Sequence, residues 1–391
     1  MDVDQSGSGY ITDTAYEARV FRELSPAWLN YVAIVNGVAA PDISSGAFSY
    51  LELGCGLGLS IAANAATHPG AAFHACDVNS MHITSARSHA ERLGVTNVAF
   101  HNCSFEDLLL DDLPVFDYIV LHGVYSWVES KARTAIEEII RNRLSPGGVV
   151  YISYNCFPGW TVELPLRRLL LETVGTETGS TIERTHKALR RLERLREGGV
   201  RYFTANRGAD ASLASWLKQS TNYIVHEYLN SAWETFYSID VARAMAGIGC
   251  RLAGSATLAD NHPELLVGTD TLEVLMTFDP SQRPLLMDFA TNRRFRRDVF
   301  VRADALSASP GDLDSLVLGK CGNDDIPRTV HIPRGSLSFH DTFITRLRRA
   351  MGAGPQPLGE LTRLVSDGAP SADVRRNIIY LIAGGVLCPI A

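Results

Sequence analysis

The segment that decides the fold is FSYLELGCGLGLS, residues 48–60. In it, an apolar run leads directly into three glycines at alternate positions, Gly54, Gly56 and Gly58, and a helix-like stretch follows. Glycine has no Cβ, so it allows a sharp turn off a strand end and a close approach of a ligand to the backbone. The segment therefore predicts a strand, a nucleotide-binding loop and a helix, in that order.

The spacing of the glycines separates two kinds of nucleotide loop. The nicotinamide or flavin fingerprint reads G-x-G-x-x-G, and counting from Gly54 places Leu59 where its third glycine belongs. The other pattern reads acidic-x-G-x-G-x-G, and Glu52 followed by Gly54, Gly56 and Gly58 satisfies it. We therefore expect the second kind of loop. A nicotinamide-dependent oxidoreductase is the alternative that the missing glycine disfavours.

Strand-like and helix-like patterns alternate beyond this loop. One helix is well marked: it spans residues 79–93, with Asn79 or Ser80 as its capping residue and Gly94 as its stop. The apolar runs that separate such stretches are AAFHACD (71–77), VAFHN (98–102), DYIVLHG (117–123) and GGVVYISY (147–154). This alternation predicts a parallel sheet with helices on both faces.

Polar and aromatic residues follow the ends of these runs. Asp77 ends the second run, and a carboxylate there can accept hydrogen bonds from both hydroxyls of a ribose. After the third run, Asn102 and Ser104 are candidates for hydrogen bonds to adenine, and Phe105 for packing on its ring. Ordinary core packing is the competing interpretation of Phe105.

Taken in this order, these signals and LSPGGVVYIS (144–153) resemble the class I S-adenosylmethionine-dependent methyltransferases over residues 48–156. The resemblance implies an α/β fold with a Rossmann-like seven-stranded methyltransferase sheet. It also implies S-adenosyl-L-methionine as cofactor, S-adenosyl-L-homocysteine as product, and no metal. The cofactor contacts expected from it are Tyr10, Glu52, Gly54, Cys55, Gly56, Gly58, Asp77, Val78, Asn79, Ser104, Phe105 and His122.

Flanking segments narrow the resemblance. YITD (10–13), LHGVYSWV (121–128) and YISYNCFPGW (151–160) are similar to bacterial methyltransferases with an appended regulatory domain, a group that includes rickettsial-type protein-lysine methyltransferases. HEYLNSAWETFYSIDVARAM (226–245) and LLMDFATNRRFRRDVFVR (285–302) resemble the appended domain itself.

The expected organisation has four parts. A lid segment (1–47) leads into a cofactor-binding domain (48–160), which is followed by a regulatory, substrate-side domain (161–305). A C-terminal region (306–391) with a winged-helix-like pattern completes the chain. Everything after the cofactor domain is expected to be mainly helical, of α+β type.

Transfer from a sulfonium needs an acceptor lone pair in line with the S–CH3 bond and the exclusion of water. His122 follows the fourth run, and the ordinary histidine pKa suits a general base. A cofactor contact or a loop-orienting role is the competing interpretation. Tyr125 and Tyr154 are the other candidate catalytic residues. Candidate substrate-binding residues, mostly aromatic, are Tyr16, Trp127, Asn155 and Trp160.

Composition and charge limit the classes of binding partner that we expect. The 391 residues predict two or three domains, and the net charge of −7 opposes non-specific nucleic-acid binding. No apolar run is long enough to span a membrane, and the acidic start MDVDQSGSGY does not resemble an export signal. Seven scattered cysteines without a C-x-x-C pair predict reduced thiols. We therefore expect a cytoplasmic protein without nucleic-acid or membrane partners, and its oligomeric state is not predicted.

The expected function is methyl transfer to a nitrogen or oxygen of a protein or peptide side chain. Two alternatives stay open: a methyltransferase that tailors a small metabolite or natural product, and a non-catalytic S-adenosylmethionine-binding interaction protein. HEYLN lacks the second histidine of the zinc motif H-E-x-x-H, so no metal is expected at His226 and Glu227.

Overall fold

A computed structural model describes residues 19–322 and 325–390. Its largest element is a seven-stranded sheet with the order β3-β2-β1-β4-β5-β7-β6. The first five strands run parallel, whereas β7 is antiparallel to both β5 and β6. This confirms the predicted Rossmann-like seven-stranded sheet. Its strands are β1 (Ser49–Leu53), β2 (Ala72–Cys76), β3 (Val98–His101), β4 (Phe116–Leu121), β5 (Leu144–Asn155), β6 (Cys250–Ser255) and β7 (Phe295–Arg302).

Helices cover both faces of this sheet. Successive side chains of a strand point to opposite sides, so both faces carry apolar side chains that pack against helices. On β1, Tyr50 packs into one core and Leu51 into another. The predicted helix after β2 is confirmed: the Asn79 side chain accepts a hydrogen bond from the Met81 N–H, and Gly94 follows with a φ of +67°. The first helices are α1 (Pro26–Val35), α2 (Leu59–Thr67), α3 (Ser80–Arg92), α4 (Phe105–Leu110) and α5 (Ser130–Arg143).

A helical unit follows β5 and has a core of its own. Trp160, Leu170, Leu189 and Trp216 are buried in it. The chain then returns to the sheet and contributes its last two strands, with one α-helix before β6 and two between β6 and β7. The helices of this region are α6 (Leu164–Thr176), α7 (Thr181–Glu197), α8 (Arg201–Ala205), α9 (Arg207–Trp216), α10 (Thr221–Tyr228), α11 (Ser238–Gly247), α12 (Thr269–Met276) and α13 (Arg283–Ala290).

The sheet is therefore not contained within residues 48–160. Its strands β6 and β7 lie at 250–255 and 295–302, inside the segment assigned from sequence to the regulatory domain. β7 pairs with β5 from Val149 to Asn155, so the two segments share one ladder of hydrogen bonds. A pairing between strands so far apart in the chain has no local sequence signal.

The C-terminal region packs against α1 and shares its core: Leu358, Leu361 and Ile378 belong to the same cluster as Trp28 and Val32. Among the described residues, no helix of the protein is long and apolar enough to cross a membrane.

The C-terminal region contains a hairpin and a three-stranded sheet of order β11-β8-β12. Its elements are α14 (Pro310–Ser315), β8 (Val317–Lys320), β9 (Thr329–Ile332), β10 (Gly335–Ser338), α15 (Asp341–Gly352), β11 (Gln356–Pro357), α16 (Leu358–Val365), α17 (Ser371–Ala383) and β12 (Leu387–Pro389).

Candidate functional site

A cavity of about 460 Å³, here the first cavity, opens beyond the carboxyl ends of β1 to β4. Glu52 and the glycine loop line it at β1, Asp77 at β2, Ser104 after β3 and His122 at β4. Ligands of open α/β sheets bind at this edge. The sequence-predicted cofactor residues that line it are Glu52, Gly54, Cys55, Gly56, Gly58, Asp77, Val78, Ser104, Phe105 and His122.

The three glycines of the loop have different tasks. All have left-handed backbones, with φ of +73° at Gly54, +52° at Gly56 and +70° at Gly58. A Cβ at Gly58 would lie 2.4 Å from the Cβ of Ala86, and one at Gly54 would lie 2.5 Å from Val124 Cγ2. At Gly56 nothing lies within 4 Å of the added atom. Gly54 and Gly58 therefore permit close packing, and Gly56 leaves backbone open to a ligand.

Asp77 ties the loop to α3. Its Oδ2 accepts a hydrogen bond from the Gly56 N–H (2.9 Å), and its Oδ1 accepts one from the Asn79 N–H (2.9 Å). His82 Nδ1 lies 3.2 Å from the same Oδ1. Asn102 Nδ2 donates to the carbonyl oxygens of Asp77 and Val78, so its amide fixes this corner instead of reaching for a base. The carboxylate thus shapes the loop in addition to lining the cavity.

Glu52 is the most buried ionisable residue of the first cavity, with 4% of the residue exposed. Burial, reinforced by the negative charge of Asp77, raises the pKa of Glu52 to about 8. Within the described part of the chain, its Oε2 has no hydrogen-bond partner. A buried polar atom without a partner is costly, so this oxygen fits a site that a polar ligand group completes.

His122 lies at the back of the first cavity in an apolar setting. Its Nδ1 is 2.8 Å from the Tyr151 hydroxyl, and its ring centroid is 4.0 Å from that of Phe21. Burial lowers the pKa of His122 to about 3, and the positive charges of Arg297 and Arg19 add to this effect. The expectation of an ordinary histidine pKa is therefore wrong, because the ring is desolvated and its charged neighbours among the described residues are cations.

Tyr125 and Tyr154 require a correction as candidate catalytic residues. The Tyr125 hydroxyl donates to Glu137 (2.8 Å), and the Tyr154 hydroxyl donates to Asp298 (2.5 Å). Both rings are buried beside Phe236, and neither residue lines a described cavity. Tyr154 lies on β5, where the pleat directs its side chain into the core, and Tyr125, in the loop after β4, packs into the same core.

Other predicted residues are placed as follows. Ser104 caps α4, where its hydroxyl accepts from the Asp107 N–H (3.1 Å) and donates to the Asp107 carboxylate (2.7 Å). Asn79 caps α3 and is not among the residues that line the first cavity. Tyr10 and Tyr16 lie outside the described residues.

A second cavity of about 360 Å³ adjoins the first. The two share Phe21, His122, Gly123 and Trp127. Three predicted substrate-binding residues, Trp127, Asn155 and Trp160, line it. Sequence reasoning missed its remaining lining residues, which come from α10, its C-terminal loop and the start of β7: His226, Glu227, Asn230, Arg294 and Phe295.

An ion pair supports the floor of the second cavity. The Arg294 guanidinium stacks on Trp160, 3.6 Å from the ring centroid, and donates two hydrogen bonds to the buried Glu163. The Tyr228 hydroxyl donates to Glu163 (2.9 Å), and Ser212 donates to the same carboxylate (3.2 Å). These partners hold both charges in fixed positions. The stretch HEYLN resembles part of the appended regulatory domain, and that resemblance carries no signal for a role of Glu227 in a cavity.

The first cavity also contains residues without a sequence signal. Arg19 and Phe21 reach it from the segment before α1, and His82 reaches it from α3. Glu129 and Lys131 close its outer side at the start of α5. Their position at the first cavity depends on how the helices pack, which the local sequence pattern does not encode.

Among the residues described, no group of three His, Cys, Asp or Glu side chains is placed to hold a metal ion.

The fold and the first cavity together identify the class of protein. A sheet of this order, with a glycine loop after β1 and an acidic residue after β2, is that of a class I S-adenosylmethionine-dependent methyltransferase. S-adenosylmethionine is therefore the cofactor. The first cavity fits it, because Glu52 offers a buried unpartnered oxygen and the space over Gly56 is open.

Comparisons with known proteins identify the family. Residues 44–235 match a family model described as a methyltransferase domain, and residues 220–302 match one described as a "Predicted methyltransferase regulatory domain". The chain is 34% identical over 365 residues to uncharacterized protein sll1526 of Synechocystis, which covers 91% of this chain and 71% of that protein. The chain belongs to the family of methyltransferases that carry this regulatory domain.

Two rickettsial proteins are also similar. Uncharacterized protein RP789 of Rickettsia prowazekii is 27% identical over 307 residues, covering 76% of this chain and 55% of that protein. The structure of PKMT2 from Rickettsia typhi in complex with AdoHcy has a TM-score of 0.74 at 20% identity, covering 96% of this chain and 77% of that one. The similarity to the PKMT2 structure shows a common fold, and at 96% of this chain it includes the C-terminal region.

Proposed function

We propose that this methyltransferase modifies a nitrogen or oxygen of a protein or peptide side chain, which enters through the second cavity. The observation that carries the proposal is that the two cavities share a wall at Phe21, His122, Gly123 and Trp127. A side chain in the second cavity would thus meet the cofactor of the first. The sequence resemblance to a group that includes protein-lysine methyltransferases supports a macromolecular acceptor.

The chain's own residues have three tasks in this reaction. The cofactor supplies a methyl group already activated on a sulfonium, so no covalent intermediate with the protein is needed. Asp77 and the loop around Gly56 hold the cofactor, and Glu52 completes the polar part of its site. The rings of Phe21 and Trp127 exclude water where the two cavities meet.

The segments of the chain have different tasks in this reaction. The segment 48–160 binds the cofactor and 161–305 forms the substrate side, with β6 and β7 completing the shared sheet. The regulatory segment contributes Glu227 and Arg294 directly to the second cavity. It therefore takes part in acceptor binding, and the C-terminal region 306–391 supports α1 from outside.

A labelling experiment tests the class of acceptor. The protein is incubated with methyl-tritiated S-adenosylmethionine and either a peptide library that displays every side chain or the low-molecular-mass fraction of a bacterial extract. We expect label in peptides, with AdoHcy released in equal amount. The Asp77→Ala variant provides the background. Label that enters only small molecules would contradict the proposal, and AdoHcy binding without transfer to either pool would favour a non-catalytic protein.

A further inference from the structure

We propose that Glu227 binds the ammonium form of an amine acceptor in the second cavity and takes its proton before the methyl group is transferred. This inference rests on the proposed function, and it narrows the acceptor from nitrogen or oxygen to an amine. Glu227 lies in the last turn of α10, next to Tyr228, whose ring is buried against Trp160 and Trp216. Among the described residues that line the second cavity, it is the one carboxylic acid.

The neighbouring charges leave Glu227 available. Arg294 is the guanidinium of this cavity, but both of its hydrogen bonds to a carboxylate go to Glu163. His122 also lines this cavity, and its low pKa keeps its imidazole uncharged. On its own helix the other ionisable residues are Tyr223, one turn earlier, His226 and Tyr228. The cavity therefore offers one carboxylate that is not already used in an ion pair on which the fold depends.

The protonation of Glu227 suits proton transfer near neutral pH. Burial raises the pKa of Glu227 to about 7; the positive charge of Arg294 opposes this shift and the negative charge of Glu163 adds to it. A general base works best when its pKa lies near the working pH. An ammonium ion beside this group favours the carboxylate form of Glu227, and the carboxylate in turn favours the ammonium. Burial in the cavity disfavours both charges, and it therefore favours the neutral pair that proton transfer produces.

A second observation points independently to a polar ligand here. The Asn155 side chain is 4% exposed and lines the second cavity, and its Nδ2 has no hydrogen-bond partner within the described ranges. Its backbone is fixed, since the Asn155 N–H donates to Ser126 Oγ (2.8 Å) and its carbonyl accepts from the Phe236 N–H (3.0 Å). A buried amide held in this way costs free energy unless a ligand atom accepts its hydrogen bond.

The reaction balances without a further reactant. The acceptor ammonium gives one proton to the Glu227 carboxylate, which leaves a neutral amine with a lone pair. That lone pair forms the new N–C bond as the S–C bond of the cofactor breaks, and the sulfonium becomes a neutral thioether. The product is a methylated ammonium, and the Glu227 carboxyl returns its proton to water after the product leaves.

The binding test uses n-butylammonium and its neutral analogue 1-butanol, titrated into the AdoHcy-loaded protein. Trp127 and Trp160 line the cavity, so tryptophan fluorescence reports occupancy. We expect the affinity for n-butylammonium to increase as the pH rises through about 7, where Glu227 ionises. In Glu227→Gln this affinity falls about tenfold or more, the scale of a hydrogen bond to a charged group. The affinity for 1-butanol stays unchanged in both proteins.

Asp240→Asn is the matched control, since Asp240 is an exposed acid on α11 of the same domain that lines neither cavity. It should bind both probes like the wild type. Equal n-butylammonium affinity in wild type and Glu227→Gln would overturn the inference, as would the absence of n-butylammonium binding to the wild type. Circular dichroism and a thermal midpoint establish that Glu227→Gln is folded, and a 1-butanol affinity equal to that of the wild type establishes that its cavity is intact.

The proton-transfer part has its own readout. With n-butylamine as acceptor, AdoHcy formation by the wild type should rise across pH 7. In Glu227→Gln it should rise only toward the pKa of the free amine, about 10.4 for a lysine-like group. Identical pH profiles, or ammonium binding without any AdoHcy formed, would overturn this part. Failure of the proposed function is distinguishable, because it would show as amine methylation without label in any peptide.

Discussion

The two cavities differ in how the chain builds them. The first draws most of its lining from loops that directly follow β1 to β4, within residues 52–132. The second is assembled from the end of β5, α10 and the start of β7, up to residue 295. A cofactor common to a whole class can be bound by a contiguous segment. An acceptor site that combines distant segments can change through any one of them while the cofactor loop stays the same.

The largest expected effect concerns the glycine loop. Gly58→Ala combines a left-handed backbone with a Cβ forced onto Ala86, and should cost about 2–5 kcal/mol of the free energy of unfolding. Gly56→Ala, with no atom within 4 Å, should cost only the backbone part, about 1–2 kcal/mol. Urea denaturation of both variants measures the difference. Equal costs would contradict the separate tasks assigned to these glycines.

The next effect concerns cofactor affinity. Asp77→Ala removes the acceptor for the Gly56 and Asn79 N–H groups and should weaken S-adenosylmethionine binding by about 1–3 kcal/mol. Isothermal titration calorimetry measures this, with Glu91→Gln on the exposed face of α3 as control. An unchanged affinity in Asp77→Ala would remove Asp77 from the cofactor site and weaken the contrast between a local and an assembled cavity.

Glu52 should make stability depend on pH. Its pKa is raised to about 8 in the folded protein, so the folded state holds the proton more tightly than the unfolded chain does. The raised pKa therefore contributes to the free energy of unfolding. This contribution is complete below the ordinary glutamate pKa and is lost as the pH rises through about 8, and the free energy of unfolding falls by up to about 1.4 kcal/mol per pH unit. Urea denaturation across this window should give a flatter curve for Glu52→Gln. Parallel curves for the two proteins would show that Glu52 is not buried as described.

The smallest expected effect is at the wall between the cavities. Because the pKa of His122 is about 3, the imidazole is uncharged at neutral pH and a weak base. His122→Asn should therefore lower kcat less than about tenfold, whereas loss of a general base costs about 10²–10⁴-fold. Steady-state kinetics at several pH values provide the measurement. A hundredfold loss, or a wild-type rate that rises near pH 6.5, would restore His122 as the base and leave Glu227 without that role.

Several residues expected from the sequence as cofactor contacts line the first cavity, because they lie at strand ends, where spacing alone determines position. Gly54, Gly58 and Asp77 are examples. At β5 the same reasoning selected both Tyr154 and Asn155, and only Asn155 lines a cavity, because neighbouring side chains on a strand point to opposite faces. Glu227 had no periodic or motif signal for its role. Its position depends on α10 packing over the end of a sheet that β7 completes.

The insertion of β7 between β5 and β6 also determines what can be cut from this protein. A shortened chain that stops at residue 235 would retain the glycine loop but lose both of those strands. The edge of β5 from Val149 to Asn155 would then present unpaired N–H and C=O groups, the kind of surface through which proteins aggregate. The region matched as regulatory is thus an inseparable part of the enzyme's scaffold, and any regulation it exerts acts from within the catalytic sheet.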